Sequence, residues 1–488
     1  MTVSYIDVLH FTLPAVCVAV AGLVALTLDI TLLRTAALAN RFRSAIIVGL
    51  LGCILAIDLI RHSPLNFSLP DSMFVVTPLT HIVQTAILVL ACITVLLARP
   101  AQFTTHAGEY IALILFATVA MLFLVATQNL LLIFVALEFL SLSLYILTGF
   151  DKRSRRSAEA ALKYFLFGGM SAGFLLFGFS LLYGLSGSIE LPKIAAALSG
   201  PGLDPLLTIA IVMVAIGFGF KVAAAPFHLW APDAYQGAPT VSAGFIASSS
   251  KVASFFIFAQ VATVALAGAA GSWAWRGRAP GWVPVLAIVA ALSMILGNLA
   301  AIAQTSLRRL LAYSAIGHAG YMLLGVIAHT PRGLSALLYY VITYALAALG
   351  AFGVLGALES QGIDRIDDLR GLSRRAPGLA LCLMIFLLSL AGIPPLAGFF
   401  GKFYVFSAAL SAEPGFALLW IVLLAVAMSA VSLYYYLRVL KHAFVAAGAE
   451  DSPIRVASLT RLAVELLAAL VVLFGCVPDM LMRWIGLH

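Results

Sequence analysis

The sequence predicts an all-α polytopic membrane protein of about fourteen spans, and three observations carry that expectation. Of 488 residues, 63% are hydrophobic and only 10% are charged, with a mean hydropathy of +1.10. A water-soluble chain of this length needs far more polar surface to skin its domains. Apolar windows of about 20 residues recur from end to end, the length that crosses roughly 30 Å of hydrocarbon. The loops between them are short, so no stretch could fold as a separate soluble domain.

Taken in order, the first segment, 8–33, lacks a basic leader and a cleavage site and carries Asp29, so it reads as a retained helix and not a signal peptide. Segments 43–61 and 75–98 complete an N-terminal three-helix stretch, 1–107. Segments 108–126 and 129–149 follow, the second holding Glu138 in "LLIFVALEFLSLSLYI". Segment 158–186 places Lys163 about one turn inside, where a lysine arm either snorkels to the headgroups or faces inward. Segment 205–231 contains "GFGFKVAAAPFHLW": Lys221, then Pro226, then His228. The proline removes a helix hydrogen bond and clashes with the turn before it, so this helix should open just after Lys221.

Segment 239–268 carries Lys251 at the end of "ASSSK". Segments 283–303, 307–328 and 334–359 come next, with His318 on the middle one. Segment 378–408 is interrupted by Pro394 and Pro395 shortly before Lys402. Segment 414–441 bears Tyr434, Tyr435 and Tyr436, which read as interface anchors, and 458–485 closes the chain. The polar loop 362–377, "GIDRIDDLRGLSRRAP", reads as a solvated, subunit-contacting surface.

The net charge of +8 would suit a nucleic-acid partner, but the basic residues flank apolar segments and form no patch. None is expected; lipid is the surrounding partner. Fourteen spans sort the loops into two alternating sets. One holds Arg34, Arg41, Arg43, Arg99, Lys152, Arg153, Arg155, Arg156, Arg308, Arg309, Arg365, Arg370, Arg374, Arg375, Arg438, Lys441, Arg455 and Arg461. The other holds Arg61, Lys193, Arg276, Arg278, Arg332 and Arg483. The first set belongs in the cytoplasm, which puts both termini outside.

Topology leaves Lys163, Lys221, Lys251 and Lys402 unexplained, and Glu138 with them. Each charge costs at least a few kcal/mol at the bilayer centre. Lys221 and Lys251 stand ten to twelve residues from the same surface, roughly 15–18 Å at 1.5 Å per residue. Glu138 is nine residues into its span, so the three share one depth near the midplane. A structural Glu–Lys pair would leave a second lysine with no structural excuse. His228 and His318 are either satisfied core residues or relay members.

Broken segments in positions seven and twelve, each with a lysine, imply a repeat of five segments: 108–268 (spans 4–8) against 283–441 (spans 9–13), then a C-terminal helix in 458–488. An odd number of helices per unit makes the two repeats inverted. Ion transporters place their sites at such discontinuous helices near the midplane.

The string "KVAAAPFHLWAPDAYQGAPTVSAGF", the lysine in "SSSKVASFF" and the Pro-Pro-to-Lys stretch of segment twelve resemble the antiporter-like subunits of respiratory complex I. Among these, "PFHLWAPDAYQGAP" and Lys402, where the M type would carry Glu, look most like the N type. The absent long lateral C-terminal helix of the L type agrees. The resemblance implies a non-redox subunit of the proton-translocating NADH:quinone oxidoreductase in a bacterial inner membrane. It assigns Glu138 and Lys221 as the charged pair of helices five and seven, Lys251 as the central relay lysine, Lys402 as the lysine leading to the far side, and Lys163 as the helix-six lysine. It also implies partners: antiporter-like subunits L and M and small subunits A, J, K and H. NADH, FMN, iron–sulfur clusters and quinone would be bound by partner subunits, with no cofactor in this chain. Cys17, Cys53, Cys92, Cys382 and Cys476 have no metal-ligand spacing. A subunit of a multisubunit (Mrp-type) cation/proton antiporter shares the fold and is the alternative reading.

Overall fold

The structure is a computed structural model that describes residues 5–98, 103–198, 204–273, 278–359, 362–446, 453–454 and 456–486. Arg99, Arg276 and Arg455, used above for orientation, lie outside the described residues. Helices with apolar side chains around most of their circumference need lipid or other helices on every side. The described chain is almost wholly such helices. They are α1 (Tyr5–Ile30), α2 (Leu38–His62), α3 (Pro78–Leu97), α4 (Ala107–Val125), α5 (Leu130–Thr148), α6 (Arg155–Ser186), α7 (Leu191–Ala197), α8 (Pro205–Lys221), α9 (Trp230–Gly237), α10 (Thr240–Ala247) and α11 (Ser249–Gln260). Then come α12 (Trp282–Ile302), α13 (Leu307–Ile327), α14 (Pro331–Glu359), α15 (Leu372–Arg375), α16 (Pro377–Ala391), α17 (Ala397–Ala412), α18 (Leu419–Phe444), α19 (Ser458–Cys476) and α20 (Pro478–Ile485).

Among the described residues, twelve stretches are long and apolar enough to cross a membrane, one of them being α10 and α11 taken together as Thr240–Ala265. Two shorter apolar helices, α8 and α16, stand at the predicted seventh and twelfth positions. Together they fill the fourteen predicted segments. Both shorter helices end at the breaks that the prolines foretold, α8 at Lys221 and α16 at Ala391. A third break was not foreseen. Segment eight is two helices, parted at Ser248, whose φ of −112° and ψ of −84° leave the helical region.

The chain divides into two compact units, Met1–Gly217 with Gly237–Ala269, and Phe218–Gln236 with Ala270–His488. In the first unit α1 packs on α2 and α4, α5 on α4 and α6, and α11 on α3 and α4. Polar residues start and stop these helices. Thr77 caps α3, Asn129 caps α5, Ser154 caps α6, and Gly187 closes α6 in the left-handed conformation at φ 68°. Asp29, buried at the end of α1, takes both Nε and Nη2 of Arg41, at 2.6 and 2.8 Å, and the Gly108 amide at 2.9 Å. That one carboxylate joins α1, α2 and α4.

A short hairpin, β1 (Phe67–Ser68) against β2 (Val75–Val76), connects α2 to α3. Its tip is fastened from two sides: Asn129 Nδ2 donates to the Asp71 carbonyl at 2.9 Å, and Ser72 Oγ donates to Glu190 at 2.9 Å. The Lys193 ammonium beside Glu190, together with the Ser72 hydroxyl, holds the Glu190 carboxyl below its ordinary value.

In the second unit α12 packs along α13, and α14 is enclosed by α13, α16, α17 and α19. α13 and α14 are almost wholly buried. Glycine sets the α12–α13 approach: a Cβ on Gly297 would lie 2.4 Å from the Gly317 nitrogen.

Candidate functional site

Backbone freed by a helix break at membrane depth must find partners inside the protein, and each break in this chain shows where they come from. Beyond Lys221, the last residue of α8, Ala223 turns through φ 58° and the Ala225–Pro226 peptide is cis. The Ala225 amide donates to Ser293 Oγ at 2.8 Å, and the Phe220 carbonyl accepts Trp230 Nε1 at 3.0 Å. α9 is then held by Arg309, which donates to Asp233 at 2.7 Å and to Gln236 at 3.3 Å. Lys221 is 7% exposed, and His228, two residues past Pro226, is half-buried.

At the second break Gly392 stands at φ 88°, and the freed Ala391 carbonyl accepts a hydrogen bond from Lys402 Nζ at 2.9 Å. The same ammonium donates to Ser429 Oγ at 2.8 Å and lies 5.1 Å from the centre of the Tyr321 ring. Gly398 N donates to Ser389 Oγ at 3.1 Å. Lys402 is only 4% exposed, so its charge is carried by these dipoles and the ring face.

The third break places Lys251, 1% exposed, three residues beyond Ser248. Serine hydroxyls here bond back into their own helix: Ser248 to the Gly244 carbonyl, Ser250 to Ile246 and Ser254 to Ser250, at 2.6 to 2.9 Å. Such back-bonding competes with the helix ladder and bends it. Glu138, half-buried on α5, and Lys163, whose Nζ is 2.7 Å from Glu159 on the same helix, belong with Lys251 to the first unit.

In the second unit the structure brings Lys402 and His318 into one polar cluster. His318, 2% exposed, has Nδ1 2.7 Å from Tyr340 Oη and Nε2 3.2 Å from Tyr436 Oη. Tyr436 also shares a hydrogen bond with Ser314. Its ring meets that of Tyr435 at a 54° tilt, centroids 4.5 Å apart; the Tyr435 hydroxyl donates to Asn298 Oδ1 at 3.0 Å, while Asn298 Nδ2 donates to Tyr321 Oη at 3.0 Å. Tyr321 is the ring beneath Lys402. The cluster therefore runs from Ser314 through Tyr436 to His318, and from Tyr435 through Asn298 and Tyr321 to Lys402.

This corrects the expectation that all three tyrosines of α18 are interface anchors. Tyr434 is exposed, but Tyr435 and Tyr436 are fully buried. A helix presents successive residues 100° apart, so one face of "YYY" looks outward while the next two side chains turn inward. Asn298, Tyr321 and Tyr340 were missed altogether. Asn298 left a faint signal, being a lone amide in the apolar run "ALSMILGNLAAI".

Among the described residues no three His, Cys, Asp or Glu side chains gather as a metal site. Cys476 is exposed; Cys17 and Cys382 stand apart on α1 and α16, and Cys53 of α2 and Cys92 of α3 share a hydrogen bond as a pair. This donor set does not fit an iron–sulfur cluster.

The described site is a set of buried cations and hydroxyls beside opened helices. The comparisons with known proteins show the family. Residues 126–429 match the family described as "NADH:quinone oxidoreductase/Mrp antiporter, TM". The NADH-quinone oxidoreductase subunit N 2 of Acidobacterium capsulatum is 60% identical over 99% of each chain. A chain of respiratory complex I from Thermus thermophilus, solved with bound aureothin, superimposes with a TM-score of 0.79 at 36% identity, covering 96% of this chain and 98% of that one. A chain of the Mrp complex from Dietzia superimposes equally well, TM-score 0.80 over 98% and 96%, but at 21% identity, which speaks for the shared fold alone. Identity along the full length decides between the two readings: the chain belongs to the subunit N family of proton-translocating NADH:quinone oxidoreductase.

Proposed function

We propose that this chain carries part of the transmembrane proton relay of that enzyme, with Lys221, Lys251 and Lys402 passing the proton and Glu138 switching it. The observation that carries the reading is the placement of three buried lysines at or beside three helix breaks. A buried ammonium gives up its proton more readily as water is withdrawn, and holds it when a carboxylate or a lone-pair donor is near. Small changes of surroundings therefore tip such a group. Moving one charge against 100 mV costs about 2.3 kcal/mol, a step that these opposing effects can match.

In the second unit His318, whose ring nitrogens face the Tyr340 and Tyr436 hydroxyls, would extend the path towards Lys402. His228 stands beside the α8 break as a further member, and Lys163 is the peripheral one, paired with Glu159 near the start of α6. The two five-span repeats, 108–268 and 283–441, would each supply one half of the path. The electron carriers (NADH, FMN, iron–sulfur clusters and quinone) belong to partner subunits. Those partners include the antiporter-like subunits L and M and the small subunits A, J, K and H, in a bacterial inner membrane with both termini of this chain on the periplasmic side.

The test is Lys251→Met in assembled complex, scored by proton pumping and NADH:quinone electron transfer. Loss of both is expected. Full pumping would end the relay reading.

A further inference from the structure

We propose that the first unit binds one phospholipid with a phosphoethanolamine headgroup, in a groove that α4 floors and that α1 and α5 flank. The groove is a cavity of about 310 Å³, within the range of roughly 300–1,000 Å³ usual for ligand pockets. Its apolar lining includes Leu26, Leu113, Phe116, Ile146 and Phe150, and its charged members are Glu109 and Lys152. α4 packs against both α1 and α5, which makes it the floor.

The positions of these groups along the spans give the groove a polar mouth and an apolar depth. Glu109 lies in the first turn of α4, Lys152 stands four residues past the end of α5, and Leu26 stands four residues before the end of α1. All three helix ends meet one membrane surface. Leu113 and Phe116 follow Glu109 by four and seven residues, so they share its face of α4. At 1.5 Å per residue, Phe116 is roughly 10 Å deeper in the membrane than Glu109. Ala112 lies on this face too, and its small side chain leaves the floor open. Ile146 on the flank is 54% exposed, so the groove opens sideways to lipid. Phe150, buried with its ring centroid 5.0 Å from that of Tyr110, is a fixed wall beside the mouth.

An acyl chain fits the depth, and the mouth selects the headgroup. Lys152 is exposed and makes no ion pair among the described residues, whereas Arg41 at the same surface is committed to Asp29. Lys152 is therefore the cation available to a phosphate oxygen. Glu109 is half-buried, with one oxygen 3.0 Å from His106 Nδ1. An ionised carboxylate offers about four lone-pair sites, so Glu109 can also accept from a primary ammonium. A cation and a carboxylate at one mouth match a headgroup that carries phosphate and ammonium together. A purely anionic headgroup would meet Glu109 as a like charge, and a quaternary ammonium has no N–H to donate.

The experiment uses the whole complex in phosphatidylcholine nanodiscs that contain a trace of phosphatidylethanolamine with a diazirine in the upper part of one acyl chain. After irradiation, peptide mass spectrometry locates the label. The site predicts labelling at Leu113, Phe116 or Ile146 that unlabelled phosphatidylethanolamine displaces and phosphatidylglycerol, at the same mole fraction, does not. Lys152→Gln and Glu109→Gln should each reduce that labelling about fivefold, the worth of one charge contact at a membrane surface, while labelling elsewhere on the complex stays unchanged. Lys152 is exposed and Glu109→Gln keeps the side chain's shape, so both variants should assemble. Equal displacement by phosphatidylglycerol, or labelling that survives either substitution, would mean ordinary surrounding lipid and overturns the site. Absence of label from the groove would mean that another subunit covers it, and overturns the site as well.

Discussion

The Nζ of Lys402 donates to the Ala391 carbonyl that the break at Gly392 leaves without a helical partner, and to Ser429 Oγ. Gly392 makes this possible. Its φ is 88°, and a Cβ there would meet Lys402 Cδ at 3.0 Å and Nζ at 3.3 Å. Gly392→Ala adds a left-handed penalty of about 1–2 kcal/mol and pushes the ammonium from its carbonyl. Lower thermal stability and slower coupled turnover are expected, read by thermal inactivation and pumping of the assembled complex. Tyr436→Phe removes the hydroxyl that His318 and Ser314 share. It should cost about 1–3 kcal/mol and slow pumping, because both partners lose a buried bond. Outside the spans, Glu190 makes a pH prediction. Its folded-state carboxyl is held below the ordinary value by Lys193 and Ser72. A depressed carboxyl stabilises the fold above its unfolded value and loses that contribution as pH falls through the lowered one. Protection of the hairpin amides 67–76, taken relative to the intrinsic exchange rate at each pH, should therefore be high near neutrality and fall under acid; Glu190→Gln should lower it at neutrality and flatten that fall.

Helices meet here through small residues and single buried polar contacts, so element-scale damage should be local and severe. Gly297→Ala forces a methyl onto the Gly317 backbone, and overpacking of that kind costs about 1–3 kcal/mol. Asp29→Ala strips Arg41 of its carboxylate and Gly108 of its acceptor, and breaking a buried pair costs about 3–5 kcal/mol. Reduced yield of assembled complex and a lowered melting temperature are the readouts for both. The elements were legible in the sequence where a residue type has only one structural use. Pro226 and the Pro394–Pro395 pair marked their breaks because proline cannot continue a helix. The break at Ser248 was not legible, since serine is tolerated in helices and its hydroxyl can bend one only in a particular packing. Lys402, Lys251 and Lys221 stood out because a charge in lipid is expensive. The hydroxyls of Tyr321, Tyr340 and Tyr436 did not, because tyrosine is as much at home in an apolar core as in a relay.

For the whole molecule the governing quantities are the number of crossings and the side on which each loop emerges. Fourteen segments and the lopsided distribution of Lys and Arg are the basis of the orientation proposed above. An impermeant thiol reagent should reach Ser188→Cys, in the loop before α7, from the outer face, and Ser154→Cys, before α6, from the inner face. The reverse would invert the topology and the direction assigned to the relay. What makes the chain a machine part, on this account, is that its opened helices carry charge where lipid would forbid it. The most direct measurement is proton pumping together with NADH:quinone electron transfer in membranes carrying Lys221→Ala, with assembly verified. The account predicts that both activities fall in a complex that still assembles; normal values of both would make Lys221 a structural charge and contradict it.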